Sequence, residues 1–366
     1  MLIRFWVSGY RCFREKAGLD FTDKKNYRFG TDCVRGDLLE KVVILGNNGA
    51  GKTSFGYAIT DIVPTLVGFV KDVGQNDVLC FANGSMTPTF HYEFSFRGSF
   101  VVYEYSKSAP DRLVSESLAI DRRTVYSYDL SDGSCDGFDL ERICVPGFET
   151  PAPDGGVAFL RMLSESGALA KGCVARDIIS FARSSIYYMA MWKSDVHIGF
   201  LDGEDDVQGY IIGNGLVEEF NRFLDEQCGI RMTVSARDGG LFVSLDGREL
   251  PFFKAASRGT AILCRLFCWN RRSRDKEALV FLDDFDDMFD YRTAENVMTY
   301  IIRNSQAQCV FITHNISLIS SDSLRPDCCF IMHGGGLDSL ANLTDKNIRR
   351  GNNLEKMLRD GEFNTD

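Results

Sequence analysis

The chain has 366 residues, room for one large domain or two ordinary ones, and its 45% apolar and 25% charged content excludes a disordered polypeptide. With 41 basic against 51 acidic residues the net charge is −10, so the surface as a whole does not advertise nucleic-acid binding, although a local basic patch stays open. No apolar run approaches the ~18 residues that a membrane-spanning helix needs, and the first residues lack a signal-peptide layout, so a cytoplasmic chain with no membrane partner is expected.

The 12 cysteines are dispersed without a C-x-x-C pair and only 4 His occur, so zinc-ligand spacing is missing and free, mostly buried thiols in a reducing compartment are expected. Cys264 and Cys268, beside Leu266, Phe267 and Trp269, read as one buried helix face.

Along the chain, Ile3, Phe5 and Val7 alternate as in a strand, and Lys41 to Leu45 is a compact apolar strand. Phe90, Tyr92, Phe94 and Phe96 alternate up to a turn at Gly98 and Ser99, and FVVYEY follows, which predicts a hairpin. A second strand pair is expected from Ser115 to Asp129, then an exposed, acidic, turn-rich connection from Ser131 to Gly156. Helical spacing follows at Phe159, Leu160 and Leu163, and again at Leu216, Val217, Phe220, Phe223 and Leu224. The aromatic and Met run from Ser184 to Trp192 reads as buried core rather than a cofactor box. A hairpin is expected around Asp238-Gly239-Gly240. Beyond it, apolar strands at Ala278–Leu282 and Cys309–Thr313 flank a helix with Ala294, Val297 and Ile301 on one side, as in a largely parallel sheet.

Four motifs carry chemistry. Gly46-Asn47-Asn48-Gly49-Ala50-Gly51-Lys52-Thr53 fits G-x-x-x-x-G-K-[ST], follows the apolar strand and opens a segment with Phe55, Ala58, Ile59 and Ile62 at helical spacing. Glycines permit backbone angles that a Cβ forbids, so successive N–H groups turn toward phosphate oxygens and the helix presents its positive end to the same anion. Lys52 would bring a mobile cation to the terminal phosphates, and the Thr53 hydroxyl a ligand for Mg²⁺. The alternative is a plain Gly-rich turn.

The second motif is Leu279 to Asp284, a buried strand ending in carboxylates. Asp283 is placed to hold Mg²⁺ across the phosphates and Asp284 to orient or deprotonate water, while Asp286, Asp287 and Asp290 read as a solvated acidic loop. The third is a strand with a polar tip at Thr313-His314-Asn315, where His314 either stabilises a γ-phosphate or is structural. The fourth, Ser257-Arg258-Gly259-Thr260 ahead of a helix, is either a simple cap or a second anion site.

Taken in this order, the motifs resemble those of ABC-type ATPase heads, as in SMC proteins and OLD-type AAA ATPases. The chain looks most like the small AAA-type ATP-binding proteins of bacterial defence and abortive-infection loci. Tyr10 to Phe13 resembles their N-terminal N-F-R-S-F strand end, which puts Arg11 at the family's arginine. Gly46 to Ser54 resembles the Walker A loop, Ser257 to Thr260 the S-x-G-T form of the signature, Leu279 to Asp284 Walker B and Phe311 to Asn315 the histidine switch. Arg349 to Phe363 resembles the closing segment. Asp284 stands where the family has Glu, one methylene shorter, and Met288 to Tyr291 replaces its S-L-H-P.

The resemblance implies an α/β fold, a P-loop NTPase of ABC-head type with a mixed sheet, a β-rich N-terminal lobe and an inserted helical and β middle region. Residues 1–110 and 251–366 would form the head and 111–250 the insert. It also implies ATP and Mg²⁺ as ligands, sandwiched in a homodimer or higher homo-oligomer between the Walker A loop of one chain and Ser257 and Gly259 of another. Hydrolysis would involve Asp284 and His314, with Arg11 and Ser54 on the nucleotide, and would drive or gate a companion effector, with antiviral defence as the setting that the resemblance suggests. Two further readings stay open: an ATP-binding switch with little turnover, and a nucleic-acid clamp using Arg271, Arg272 and Arg274.

Overall fold

In the computed structural model, residues 1–68, 87–148, 152–189, 196–199, 206–245, 247–319 and 324–363 are described. Cys80 and the end of the aromatic run, residues 190–192, lie outside them. Every cysteine among the described residues is a free thiol, with Cys264 and Cys268 buried on one helix, Arg258–Ser273, while Cys12 and Cys135 are exposed.

Alternation builds the first layer. Along Thr89–Phe96 every second side chain is buried, which turns Phe90, Tyr92, Phe94 and Phe96 inward. This strand pairs antiparallel with Leu2–Ser8 on one side and Ser99–Ala109 on the other. Ala17–Asp20 closes one edge, and Arg112–Ile120, Arg123–Asp129 and Ser134–Asp136 extend the other to seven strands. The first hairpin turns at Arg97 and Gly98, both at positive φ, one residue earlier than Gly98-Ser99. Positive φ at both central residues matches the right-handed twist of the strands. Asp121 and Arg122 make the same kind of turn without glycine.

Under this lobe Glu116 is buried and its carboxylate accepts five hydrogen bonds. Three come from the hydroxyls of Tyr103, Tyr126 and Tyr128 and two from the backbone N–H groups of Phe159 and Leu160. It thereby pins the start of helix Phe159–Glu165 to the sheet.

The second layer is a seven-stranded mixed sheet. Its five central strands run parallel in the order Ile186–Met189, Leu279–Asp283, Gln308–Ile312, Lys41–Leu45, Cys329–His333, and an antiparallel strand closes each edge. Three of these strands are buried at every residue, as continuous apolar strings must be when both faces are covered. The strand Gln308–Ile312 lies between the phosphate-loop strand and the strand ending at Asp283. Parallel strands deliver their carboxyl ends to one edge, so the polar tips of all three arrive side by side.

Between the layers, helix Lys52–Thr60 packs Phe55 against Phe5 and Phe13 of the first. The middle of the chain adds helices Val174–Ser184, Val207–Gly213 and Val217–Arg222, and a three-stranded antiparallel sheet from Val234 to Pro251 that turns at Asp238 and Gly239. The mixed α/β class expected from the sequence is present, with its β-rich N-terminal lobe. No described helix is long and apolar enough to cross a membrane.

Candidate functional site

The phosphate loop joins strand Lys41–Leu45 to helix Lys52–Thr60. Gly46, Gly49 and Gly51 all take positive φ, and a Cβ at Gly51 would lie 2.8 Å from the Cys12 sulfur, so this position requires glycine twice over. Asn47, Asn48 and Gly49 are exposed, while Ala50, Thr53 and Ser54 are half-buried. Lys52 is buried, and its ammonium donates to the carbonyls of Gly46 at 2.9 Å and Asn47 at 3.0 Å, spanning the loop from its far end. Burial lowers its pKa, against the pull of Asp284 and Asp283.

Asp283 ends the strand two places along the sheet from the phosphate-loop strand, close enough for its charge to act on Lys52, and is fully buried. One carboxylate oxygen, Oδ2, accepts a 2.7 Å bond from the Tyr187 hydroxyl, and Oδ1 is a buried oxygen without a hydrogen-bond partner. Burial pushes the carboxyl up to about 6. The Tyr187 bond opposes the rise, the Asp284 charge adds to it, and Thr53 and Lys52 draw it back. Asp284 is half-buried at φ 45°, an uncommon backbone for a side chain with a Cβ, and its Oδ1 is also buried and unbonded. Its pKa too is raised, by burial and by Asp287, with His314 and Lys52 opposing.

His314 approaches from the third strand, its Nε2 lying 3.8 Å from Asp284 Oδ1. The buried Thr313 beneath it donates to Asp286 Oδ2 at 2.9 Å and accepts from the Asn315 N–H. Asp286 is therefore part of the scaffold that holds the histidine turn, and Asp290 caps helix Tyr291–Asn304 through the N–H groups of Arg292 and Thr293. Of the acidic loop expected from sequence, Asp287 and Asp290 are exposed, whereas Asp286 is half-buried and bonded by Thr313.

Arg11, at φ 48°, lies over the Tyr57 ring with 4.9 Å to its centre. Ser257 caps helix Arg258–Ser273, its Oγ accepting from the Thr260 N–H at 3.1 Å. Gly259 packs on the loop after Asp283: a Cβ there would come 3.0 Å from the Met288 carbonyl. The structure thus brings Lys52, Thr53, Asp283, Asp284 and His314 to one place and packs Gly259, two residues after the Ser257 cap, against the loop that follows the carboxylates.

No protein-family model matches the chain, and no curated protein matches it. Solved structures do. An SMC head domain from Thermotoga maritima aligns at 15% identity and a TM-score of 0.44, over 92% of this chain and 98% of that one. An SmcHead bound to the C-winged helix domain of ScpA aligns at 14% identity and a TM-score of 0.45, over 92% of this chain and 97% of that one.

Two of the three arginines of the basic triplet have partners within the chain. Arg272 is buried with its guanidinium 4.4 Å from the Tyr210 ring centre, and Arg271 lies 3.5 Å from Glu219. The helix phase turns Arg272 onto helix Val207–Gly213 and leaves Arg271 half-buried beside helix Val217–Arg222.

Sequence reasoning missed Tyr187 and Tyr57. Tyr57 is one helical turn beyond Thr53, a spacing visible in the sequence. The Tyr187 contact to Asp283 crosses between strands far apart in the chain, and only its membership of an aromatic run was visible. The site fits a divalent cation: Asp283 and Asp284 each carry a buried oxygen without a hydrogen-bond partner, Asp283 lies beside the Thr53 hydroxyl, and both carboxylates act on the Lys52 charge. Among the described residues no group of three or more His, Cys, Asp or Glu could hold a metal by itself, so a cation here would share its shell with phosphate oxygens and water.

Proposed function

We propose that the protein is an ABC/AAA-type P-loop ATPase that binds ATP with Mg²⁺ and hydrolyses it to ADP and phosphate. The observation that carries this reading is the facing pair across one loop: Lys52 on the phosphate side, and buried Asp283 with an unbonded Oδ1 on the other. Thr53 and Asp283 would hold Mg²⁺, which supplies charge neutralisation at the β- and γ-phosphates when bound. Lys52 leaves its two carbonyls for phosphate oxygens. Asp284 accepts the proton of the attacking water, for which its raised pKa is suited, and His314 donates to the γ-phosphate.

By resemblance, residues 1–110 and 251–366 act as the head and 111–250 as its insert, with Arg11 and Ser54 contacting nucleotide. Ser257 and Gly259 complete the pocket of a second copy, so that ATP closes a homodimer or higher homo-oligomer in the cytoplasm. Closure would drive or gate a companion effector in antiviral defence, as in the proteins whose motifs these resemble.

Lys52→Ala tests the core of the reading. The substitution removes the loop's charge-assisted bond to phosphate, and ATP-dependent thermal stabilisation should shrink sharply or vanish. Unchanged ATP affinity refutes the phosphate-loop assignment. A second reading, an ATP-binding switch with little turnover, draws on the short reach of Asp284 and its left-handed backbone. Single-turnover measurement with Mg²⁺-ATP separates the two.

A further inference from the structure

Asp283 has two oxygens in different circumstances. Oδ2 takes the 2.7 Å bond from Tyr187, while Oδ1 is buried with no hydrogen-bond partner. A phenol fixed at that distance settles which oxygen remains for another ligand, and it also sets the tilt of the carboxylate.

Tyr187 is itself tightly held. It is fully buried on strand Ile186–Met189, which runs parallel to Leu279–Asp283 with Tyr187 opposite Phe281. Its ring stacks on Phe281 at 5.7 Å and 22°, and Tyr57 lies against it at 4.8 Å and 42°. Helix Lys52–Thr60 comes this close only because residue 56 is glycine. A Cβ there would lie 2.5 Å from the Phe281 ring and 2.8 Å from that of Tyr187. The helix that begins at Lys52 and Thr53 therefore also clamps the tyrosine that holds Asp283, and Arg11 lies over the Tyr57 ring of the same clamp.

We infer that Tyr187 is a positioning residue for the nucleotide-bound cation: it occupies Asp283 Oδ2 and leaves Oδ1 as the liganding oxygen, with Gly56 and Tyr57 fixing its ring. The inference rests on the nucleotide reading above. Outer-shell hydrogen bonds of this kind orient metal ligands, and their loss weakens metal binding by roughly 10–100-fold.

The test is a titration of the full chain with Mn²⁺, followed by electron paramagnetic resonance, in the presence of a non-hydrolysable ATP analogue. Analogue affinity without metal is measured in parallel. Tyr187→Phe keeps the ring and removes only the hydroxyl. It should weaken Mn²⁺ binding at least roughly tenfold while metal-free analogue affinity holds. Gly56→Ala acts on the same contact without touching the hydroxyl and should weaken Mn²⁺ binding in the same direction. Wild-type Mn²⁺ affinity in Tyr187→Phe overturns the inference and leaves the nucleotide reading standing. Equal losses of analogue and Mn²⁺ affinity show a merely structural tyrosine and also overturn it. Wild-type protein that binds the analogue neither with nor without Mn²⁺ overturns the nucleotide reading, and the inference with it.

Discussion

Replacing Asp283 by Asn should stabilise the nucleotide-free protein, and the gain should depend on pH. Burial raises this carboxyl from its usual 3.8 to about 6, so the folded state resists the charge that the unfolded chain accepts freely. At ~1.4 kcal/mol per pKa unit, the ionised group costs about 3 kcal/mol at pH 8. The sign follows from proton binding. Between pH 3.8 and about 6 the folded protein holds a proton that the unfolded chain has released, so stability falls as pH rises through this window and stays low above it. At pH 5 the cost is only about half as large. The Asn oxygen can still accept from Tyr187, but its amide nitrogen takes the place of a buried, unbonded oxygen and forfeits about 1 kcal/mol. A net gain of about 2 kcal/mol at pH 8 should shrink to about 0.5 kcal/mol at pH 5, a difference of a few degrees in melting temperature. Thermal and urea melts of both proteins at the two pH values measure it. Adding Mg²⁺-ATP at pH 8 should reverse the ranking, because only the wild type offers the carboxylate to the cation. A variant that is no more stable than wild type at pH 8, or equally advantaged at pH 5, refutes the argument that burial strains Asp283.

Three other outcomes are expected. Asp284→Asn should keep ATP binding and lose turnover, because the amide fits but accepts no proton, whereas Asp284→Glu should hold or raise the rate of phosphate release. Mixing Lys52→Ala with Ser257→Arg should restore some hydrolysis or ATP-dependent dimerisation if one pocket is built from two chains, and nothing if the signature acts within its own chain. Ser257 is the better position than Gly259 for this test, since a side chain at Gly259 would first collide with the Met288 carbonyl of the same chain. Glu116→Gln should lower stability by about 3 kcal/mol or more, read by denaturant unfolding, because an amide nitrogen cannot accept the bonds that either carboxylate oxygen receives from tyrosines and a helix start. An unchanged unfolding midpoint removes Glu116 from the account of what joins helix Phe159–Glu165 to the sheet.

The local signals were legible because each is short-range. Alternation at Phe90 to Phe96 reports a strand with one buried face, and Asp238-Gly239 reports a turn at positive φ. Continuous apolar runs before Lys52, Asp283 and His314 report strands covered on both faces, so the tips of those strands were readable as candidates for chemistry. Asp121 and Arg122 turn as tightly without a glycine to mark the place, and only the paired strands on either side impose that backbone.

What the tertiary structure alone decided is how side chains distant in sequence meet. The order of parallel strands puts the His314 strand between those of Lys52 and Asp283, and no periodicity encodes strand order. Arg272 and Asp286 look like surface charges in the sequence, yet one is buried over Tyr210 and the other bonds Thr313 under the histidine turn. Tyr187 belongs to a run that composition assigns correctly to the core. Its hydroxyl reaches Asp283 only because a second strand, ninety-six residues further along, lies beside it in register. Short-range pattern thus selects the residue types at the edge of the sheet, and long-range pairing selects which of them touch.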